Sequence, residues 1–310
     1  MDGEHLPKKR FPRGIMGTCC VPWLADHTLD EQNFRALIRA IVTETPLVYI
    51  NGTAGEGYAG DEALFTQVAR VFIDETHKAG GSPMVGVIST SLQEMHRRIR
   101  IIRDLGGTLV QISLPCWDVP RGDEILWFFD EILEPYPGLG FMHYNRPLQG
   151  QVVDAGQYKA VAEAHPNLLA AKIVSDSTRY IGSLMQSASP IQFFFTEVGF
   201  VHAVLQGECG LLISSSSVCW SKAKAYVHAG FSGDVATLMA LQAQISAFTA
   251  RLMGMMPSGA HIDGAYDKLF SRMVVPDFPL RLLPPYLGST DATFERFTSM
   301  LREEFPDWYR

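Results

Sequence analysis

The sequence predicts an α/β chain closed into a (β/α)8 barrel, the TIM barrel, with additional C-terminal helices. Three observations predict it. Short apolar runs rich in β-branched and aromatic residues recur along the 310 residues, and stretches with helical spacing lie between most of them. The runs are near-continuous rather than alternating, as in parallel strands covered on both faces. Strands and helices alternating in this way build βαβ units, and such a barrel commonly reaches this length as one unit.

The runs place strands near 14–21, 46–51, 83–88, 107–114, 138–144, 167–174, 191–196 and 209–215. After the second strand, Asp61 is placed to cap a helix whose apolar positions Leu64, Phe65, Val68, Ala69 and Phe72 follow helical spacing, and Gly80 stands where that helix should stop. Met95, Ile99 and Ile102 mark the next helix, which Gly106 and Gly107 end. From about 217 to 305 the pattern is helical only, broken at Pro257-Ser258-Gly259 and at Pro284-Pro285. The chain therefore divides into an N-terminal tail (1–13), the barrel (14–230) and helices packed on it (231–310). The basic cluster Lys8, Lys9, Arg10 and Arg13 reads as a solvated part of the tail.

Composition narrows the partners. A net charge of −7 argues against nucleic acid, which needs a basic face. No apolar stretch reaches the ~18 residues of a membrane span, and the N-terminus lacks a signal-peptide core, so a cytoplasmic protein with no membrane partner is expected. Cys19, Cys20, Cys116, Cys209 and Cys219 form no CxxC pair and are expected to be free thiols, buried or partly so. The nine histidines are scattered and no HExxH, HxH or EF-hand pattern occurs, so neither a metal nor another cofactor is expected.

Of the eight lysines, seven sit in polar or helical surroundings. Lys172 is the exception, set in the apolar run Leu168-Leu169-Ala170-Ala171-Lys172-Ile173-Val174. Lysine is rarely buried unless paired or functional. Desolvation would lower its pKa toward the range where a neutral amine attacks a carbonyl; the alternative is a side chain snorkelling from the strand end to water. The fifth strand ends in His143-Tyr144-Asn145-Arg146-Pro147, which puts Tyr144 where barrel enzymes carry catalytic groups, either as a proton relay or as a core tyrosine. His143, one residue earlier, points to the opposite face and reads as structural. The second strand runs into Gly52-Thr53-Ala54-Gly55-Glu56-Gly57, whose backbone N–H groups could converge on a carboxylate, unless this is a plain glycine turn. Residues 55–60 also match GxGxxG, a dinucleotide-binding pattern, although acidic Asp61 and Glu62 stand where a pyrophosphate would bind.

Taken together, Gly52-Thr53-Ala54-Gly55-Glu56, Tyr144-Asn145-Arg146-Pro147 and Ala171-Lys172 resemble the glycine loop, the YNxP motif and the Schiff-base site of the dihydrodipicolinate synthase/N-acetylneuraminate lyase family. The resemblance spans nearly the whole chain. It implies a barrel that assembles as a homo-oligomer, a tetramer or dimer, in which Lys172 binds pyruvate or another 2-oxo acid as an imine. It further implies that Tyr144 relays protons and that Gly52, Thr53 and Ala54 hold the keto acid's carboxylate, with Thr53 counted among the catalytic residues. Trp117, Gln149 and Ser214 are placed with the substrate-binding groups. Three positions depart from the family pattern: Ala54 replaces a hydroxyl residue, Trp117 a relay tyrosine and Gln149 a carboxylate-gripping arginine. The departures make the synthase reaction itself doubtful and favour an apolar or aromatic aldehyde. The expected function is a class I aldolase or lyase joining pyruvate to an apolar, aromatic or sugar-derived aldehyde, or cleaving such a bond. The alternatives are a 2-keto-3-deoxy sugar acid dehydratase in the same site and, from other classes, an NAD(P)-dependent oxidoreductase or a non-catalytic 2-oxo-acid-binding paralogue.

Overall fold

Eight parallel strands close on themselves in chain order: β1 (Ile15–Thr18), β2 (Leu47–Ile50), β3 (Ser82–Gly86), β4 (Leu109–Ile112), β5 (Gly140–Asn145), β6 (Leu168–Ile173), β7 (Gln192–Phe195) and β8 (Gly210–Leu212), which pairs back onto β1. The computed structural model describes residues 8–115, 117–118, 120–146 and 153–309. Each strand overlaps one that the apolar runs predict. Most are shorter, because the ladder ends where the chain turns into the loops; after Leu212 it winds into a single 3-10 turn, Ser215–Val218.

A helix follows each strand: α1 (Glu31–Glu44), α2 (Glu62–Lys78), α3 (Leu92–Asp104), α4 (Asp123–Leu133), α5 (Ala155–Ala164), α6 (Thr178–Gln186), α7 (Glu197–Val204) and α8 (Trp220–Ser232). Their ends are where side-chain chemistry puts them. The Asp61 carboxylate accepts from the Leu64 amide at 2.9 Å and starts α2; Gly80, at φ +83, takes the left-handed conformation just past its end. Ser91 caps α3, whose Met95, Ile99 and Ile102 are wholly buried.

Strand alternation sorts the core into two. Inward-facing Met16, Tyr49, Met84, Met142, Ala170, Phe194 and Leu212 fill the barrel; the outward-facing residues join the helices in the larger core. Phe11, from the segment before β1, meets Phe194 edge to face at 6.0 Å and fills the barrel's lower end. Lys9 and Arg10 are not solvated as the sequence suggested. Arg10 donates to the carbonyl oxygens of Ala162 (2.8 Å) and His165 (3.0 Å) at the C-terminal end of α5, and Lys9 to Ser189 (2.7 Å) and Ile191 (3.2 Å). Cations satisfy the acceptors a helix leaves open at its C-terminus, which is why this segment docks.

Three further helices follow: α9 (Val235–Met255), α10 (Asp263–Val274) and α11 (Asp291–Glu304). They gather around Phe248, whose ring lies 5.1 Å from Trp308 and 6.2 Å from Phe270. α10 lies against the loop after β2. A Cβ on Gly264 would stand 3.2 Å from the Ala54 carbonyl oxygen, so the close approach uses a glycine. One turn on, the wholly buried Lys268 ammonium meets the Glu56 carboxylate at 2.6 Å. The same carboxylate accepts from the Trp23 indole (2.8 Å) and the Leu283 amide (2.6 Å), and Lys268 also donates to the Arg281 carbonyl. The sequence reading had counted Lys268 among lysines in polar or helical surroundings. Among the described residues no helix is long and apolar enough to cross a membrane.

Removing one member of a dry ion pair strands the other charge, a loss of about 3–5 kcal/mol, whereas an apolar pair of similar volume is close to neutral. Lys268→Ala is therefore expected to lower unfolding free energy by about that amount, and Glu56→Gln/Lys268→Met by distinctly less, as measured by urea denaturation.

Candidate active site

The barrel mouth is built from side chains at the C-terminal ends of the strands. On β6, Ala170 and Lys172 face inward while Ala171 and Ile173 face the helices. On β5, Tyr144 lies beside Lys172 in register, and Lys172 is beside Phe194 on β7. An apolar strand thus delivers its one charge into the barrel, at 5% exposure. The ammonium lies 3.9 Å from the Tyr144 ring centroid and 5.1 Å from that of Tyr49. Its hydrogen bond goes to the Tyr49 hydroxyl, at 3.5 Å. A cation over an aromatic face is held by the ring quadrupole, and two rings here take the place of water.

Burial pushes the Lys172 ammonium toward deprotonation, but Tyr144, Tyr49 and the Asp263 carboxylate outweigh it, and the balance lies above the ordinary lysine value. Burial likewise pushes the Tyr49 phenol up, to about 12. The apolar run alone predicts a depressed lysine; the phenols and the carboxylate that surround Lys172 in the fold oppose that shift.

The loop after β2 packs tightly against this lysine. Asn51 and Glu56 adopt positive φ, at 59° and 54°, so the chain doubles back within a few residues. A Cβ on Gly52 would lie 1.4 Å from the Tyr49 hydroxyl oxygen; glycine here leaves room for the phenol that holds Lys172. The Thr53 hydroxyl lies 3.4 Å from that of Tyr144 and accepts from Arg146 at 3.3 Å. The loop consumes the Glu56 and Gly57 amides internally, whereas the Thr53 and Ala54 amides have no partner among the described residues. The GxGxxG stretch has no room for a dinucleotide: a Cβ on Gly57 would sit 2.0 Å from the Asn51 carbonyl oxygen, and the Asp61 side chain occupies the start of α2.

Above Lys172 lies a cavity of about 520 Å³, with Lys172, Tyr49, Tyr144, Ala54, Glu197, Asp263 and Asp267 among its lining. Asp263 and Asp267 are four residues apart on α10 and so share a face. Asp263 accepts from Tyr266 at 2.8 Å. Glu197, at the start of α7, accepts on one oxygen from the Ser214 amide (2.9 Å) and from the amide and hydroxyl of Ser216 (3.0 and 2.6 Å). Asp267 is 7% exposed. Burial, then Asp263 and Glu197, hold its carboxyl far above the usual range, with Lys172 opposing.

The structure brings together Lys172, Tyr144, Gly52, Thr53, Ala54 and Ser214. Trp117 stands apart: it is 87% exposed and outside the cavity lining, so in this chain it supplies no apolar wall. Gln149 lies outside the described residues. His143 faces the helices, bonded to Tyr158 at 2.7 Å, and burial depresses it to about 3. Tyr49, Glu197, Asp263 and Asp267 were missed. Tyr49 and Glu197 carried a signal, being polar groups at the C-terminal ends of apolar strands; the α10 carboxylates looked like any exposed helix face. Among the described residues no group of three or more His, Cys, Asp or Glu is placed to hold a metal ion.

Fold and site together define a (β/α)8-barrel protein with a buried lysine near the C-terminal end of its sixth strand, flanked by two tyrosines. The sequence profile of the dihydrodipicolinate synthetase family matches residues 11–262, and the chain belongs to that family. Solved structures similar to it include YagE, a prophage protein of the dihydrodipicolinic acid synthase family from E. coli K12 in complex with pyruvate (17% identity over 94% of this chain and 98% of that one, TM-score 0.83). N-acetylneuraminate lyase from Proteus mirabilis is also similar (15% identity, 94% and 98%, TM-score 0.79). So is a dihydrodipicolinate synthase family protein from Coccidioides immitis (20%, 96% and 97%, TM-score 0.77). No curated protein sequence matches the chain.

Gly52→Ala should displace the Tyr49 ring and cost about 1–3 kcal/mol of stability, the usual range for overpacking. In a Tyr49→Phe background the penalty should shrink without vanishing, since the ring carbon beneath the hydroxyl remains 2.4 Å from the added methyl. A double-mutant cycle by thermal or urea unfolding reads this coupling.

Proposed function

We propose that the chain is a class I aldolase or lyase: Lys172 forms an imine with pyruvate or another 2-oxo acid, and the site makes or breaks a carbon–carbon bond to an aldehyde. The observation that carries this reading is Lys172 itself, the one buried cation lining the cavity among the described residues, held between two phenols within a family whose members include a lyase and a pyruvate-bound protein. The free amides of Thr53 and Ala54, with the Thr53 hydroxyl, suit the keto acid's carboxylate and would set its C2 carbonyl near Nζ. Addition of the amine to that carbonyl expels water, and the phenols of Tyr144 and Tyr49 are the groups near enough to move the protons involved.

A second reading shares the imine: dehydration of a 2-keto-3-deoxy sugar acid. The hydroxyls of Ser215, Ser246 and Thr249 on the cavity wall favour it. Release of pyruvate belongs to the lyase alone and separates the two. Self-association into a dimer or tetramer, in the cytoplasm, completes the proposal, and sedimentation velocity measures the assembly.

Incubation with pyruvate and borohydride is expected to fix one adduct, at Lys172, visible by peptide mass. Lys172→Ala should fix none, and Tyr144→Phe should react more slowly. Because the free lysine binds its proton more tightly than usual, the trapping rate should climb as pH rises from neutral, the neutral amine being the nucleophile. Failure of every 2-oxo acid tried to label Lys172 sinks the imine.

A further inference from the structure

The lining of the cavity above Lys172 includes a residue with a polar atom that the fold leaves without a use. Asp267 Oδ1 is buried and has no hydrogen-bond partner, yet the residue lines the cavity. Buried polar atoms are nearly always satisfied, and an unsatisfied one in a residue that lines a cavity points to a molecule that enters it. Structural need does not explain Asp267: the ion pair that docks α10 uses Lys268, on the neighbouring face. We propose that Asp267 is the acid–base group for the second substrate, giving its proton to the carbonyl oxygen of a small hydroxylated aldehyde. This rests on the imine at Lys172.

The class of aldehyde follows from the lining. Among the described residues the cations around the cavity are Lys172 and Arg146, and Arg146 is turned to the glycine loop through Thr53. The lining also presents Asp263, Asp267 and Glu197 together with the hydroxyls of Ser215, Ser246 and Thr249. An aldehyde bearing a carboxylate meets like charge there; one bearing hydroxyls finds both donors and acceptors.

The chemistry balances without any further reactant. In condensation, the iminium first releases a methyl proton to water and becomes the enamine, whose carbon bonds to the aldehyde carbon while the carbonyl π pair moves to oxygen. That oxygen takes the Asp267 proton, and the enamine nitrogen becomes the iminium on Lys172; Asp267 afterwards regains its proton from water. In cleavage, Asp267 as carboxylate removes the hydroxyl proton while the carbon–carbon pair flows back into the iminium. A carboxylic acid does this at neutral pH only if its proton is held there. Charged and titratable groups face Asp267 from every side: Lys172 from β6, Glu197 from α7, Cys20 from the loop after β1, and Asp263 and Tyr266 on its own helix. Burial and the two carboxylates favour the protonated form over the opposing pull of Lys172.

The test uses the full chain with pyruvate and either glycolaldehyde or D-glyceraldehyde, following both borohydride trapping at Lys172 and formation of the condensed 2-oxo acid. Asp267→Asn should trap pyruvate within about twofold of wild type but condense about 100-fold or more slowly, the ordinary contribution of a general acid, and Asp267→Glu should recover part of the loss. In the wild type, condensation should fall as pH rises through the raised ionisation of Asp267. Asp263→Asn, which removes a neighbouring charge, should move that limb down by about one pH unit, a check that does not depend on how Asp267 variants fold. Unchanged condensation in Asp267→Asn overturns the proposal. So does loss of trapping by a folded Asp267→Asn, which would put the residue at the imine step, and so does a wild type that traps pyruvate yet condenses neither aldehyde. Absence of trapping in the wild type is a different failure, that of the imine itself.

Discussion

The ion pair between Glu56 and Lys268 sets the geometry of everything above the barrel. It joins residues 212 positions apart, with both side chains out of water, and so locks the loop after β2 to α10. Each side of the lock carries part of the site. The loop gives Gly52, which leaves room for Tyr49, and the amides of Thr53 and Ala54; α10 gives Asp263 and Asp267 one turn apart. A buried pair is a poor source of net stability but a demanding specification of position, since neither charge tolerates another partner. The cavity's width is thus fixed by a contact outside it.

How much of this was legible in the sequence depended on whether a residue's surroundings were local. The strands were legible because a strand covered on both faces is apolar throughout, and Lys172 stood out because one charge interrupts such a run. Strand alternation also foretold that His143 turns away from Tyr144. Lys268 was illegible for the opposite reason: in Asp263-Gly264-Ala265-Tyr266-Asp267-Lys268 a charged residue on a helix looks solvated until its distant partner is known. The basic segment Lys9-Arg10 misled in the same way, because its partners are carbonyl oxygens, which no sequence pattern advertises. The lysine's surroundings followed suit: burial was predictable from the run, and the phenols and carboxylate that oppose its effect were not.

The cavity is electrostatically lopsided, with its ammonium at the floor and three carboxyl groups toward the mouth. Burial and the neighbouring carboxylates favour the protonated form of Asp267, and Glu197 is tied to three donors. The 2-oxo acid proposed above would bring its carboxylate beside the lysine and the glycine loop, which α10 also borders.

The lower end of the barrel, stopped by Phe11 and fastened by Lys9 and Arg10, gives the site a dead end. Beneath Lys172 the axis is filled with methionine, phenylalanine and leucine side chains, so no file of water reaches the amine from below. An imine formed there meets water only through the mouth that admits the substrates. The lifetime of the covalent intermediate would then be governed by occupancy: while a second substrate fills the upper cavity, hydrolysis is sterically shut off, and once it leaves, the same opening lets in the water that frees the lysine.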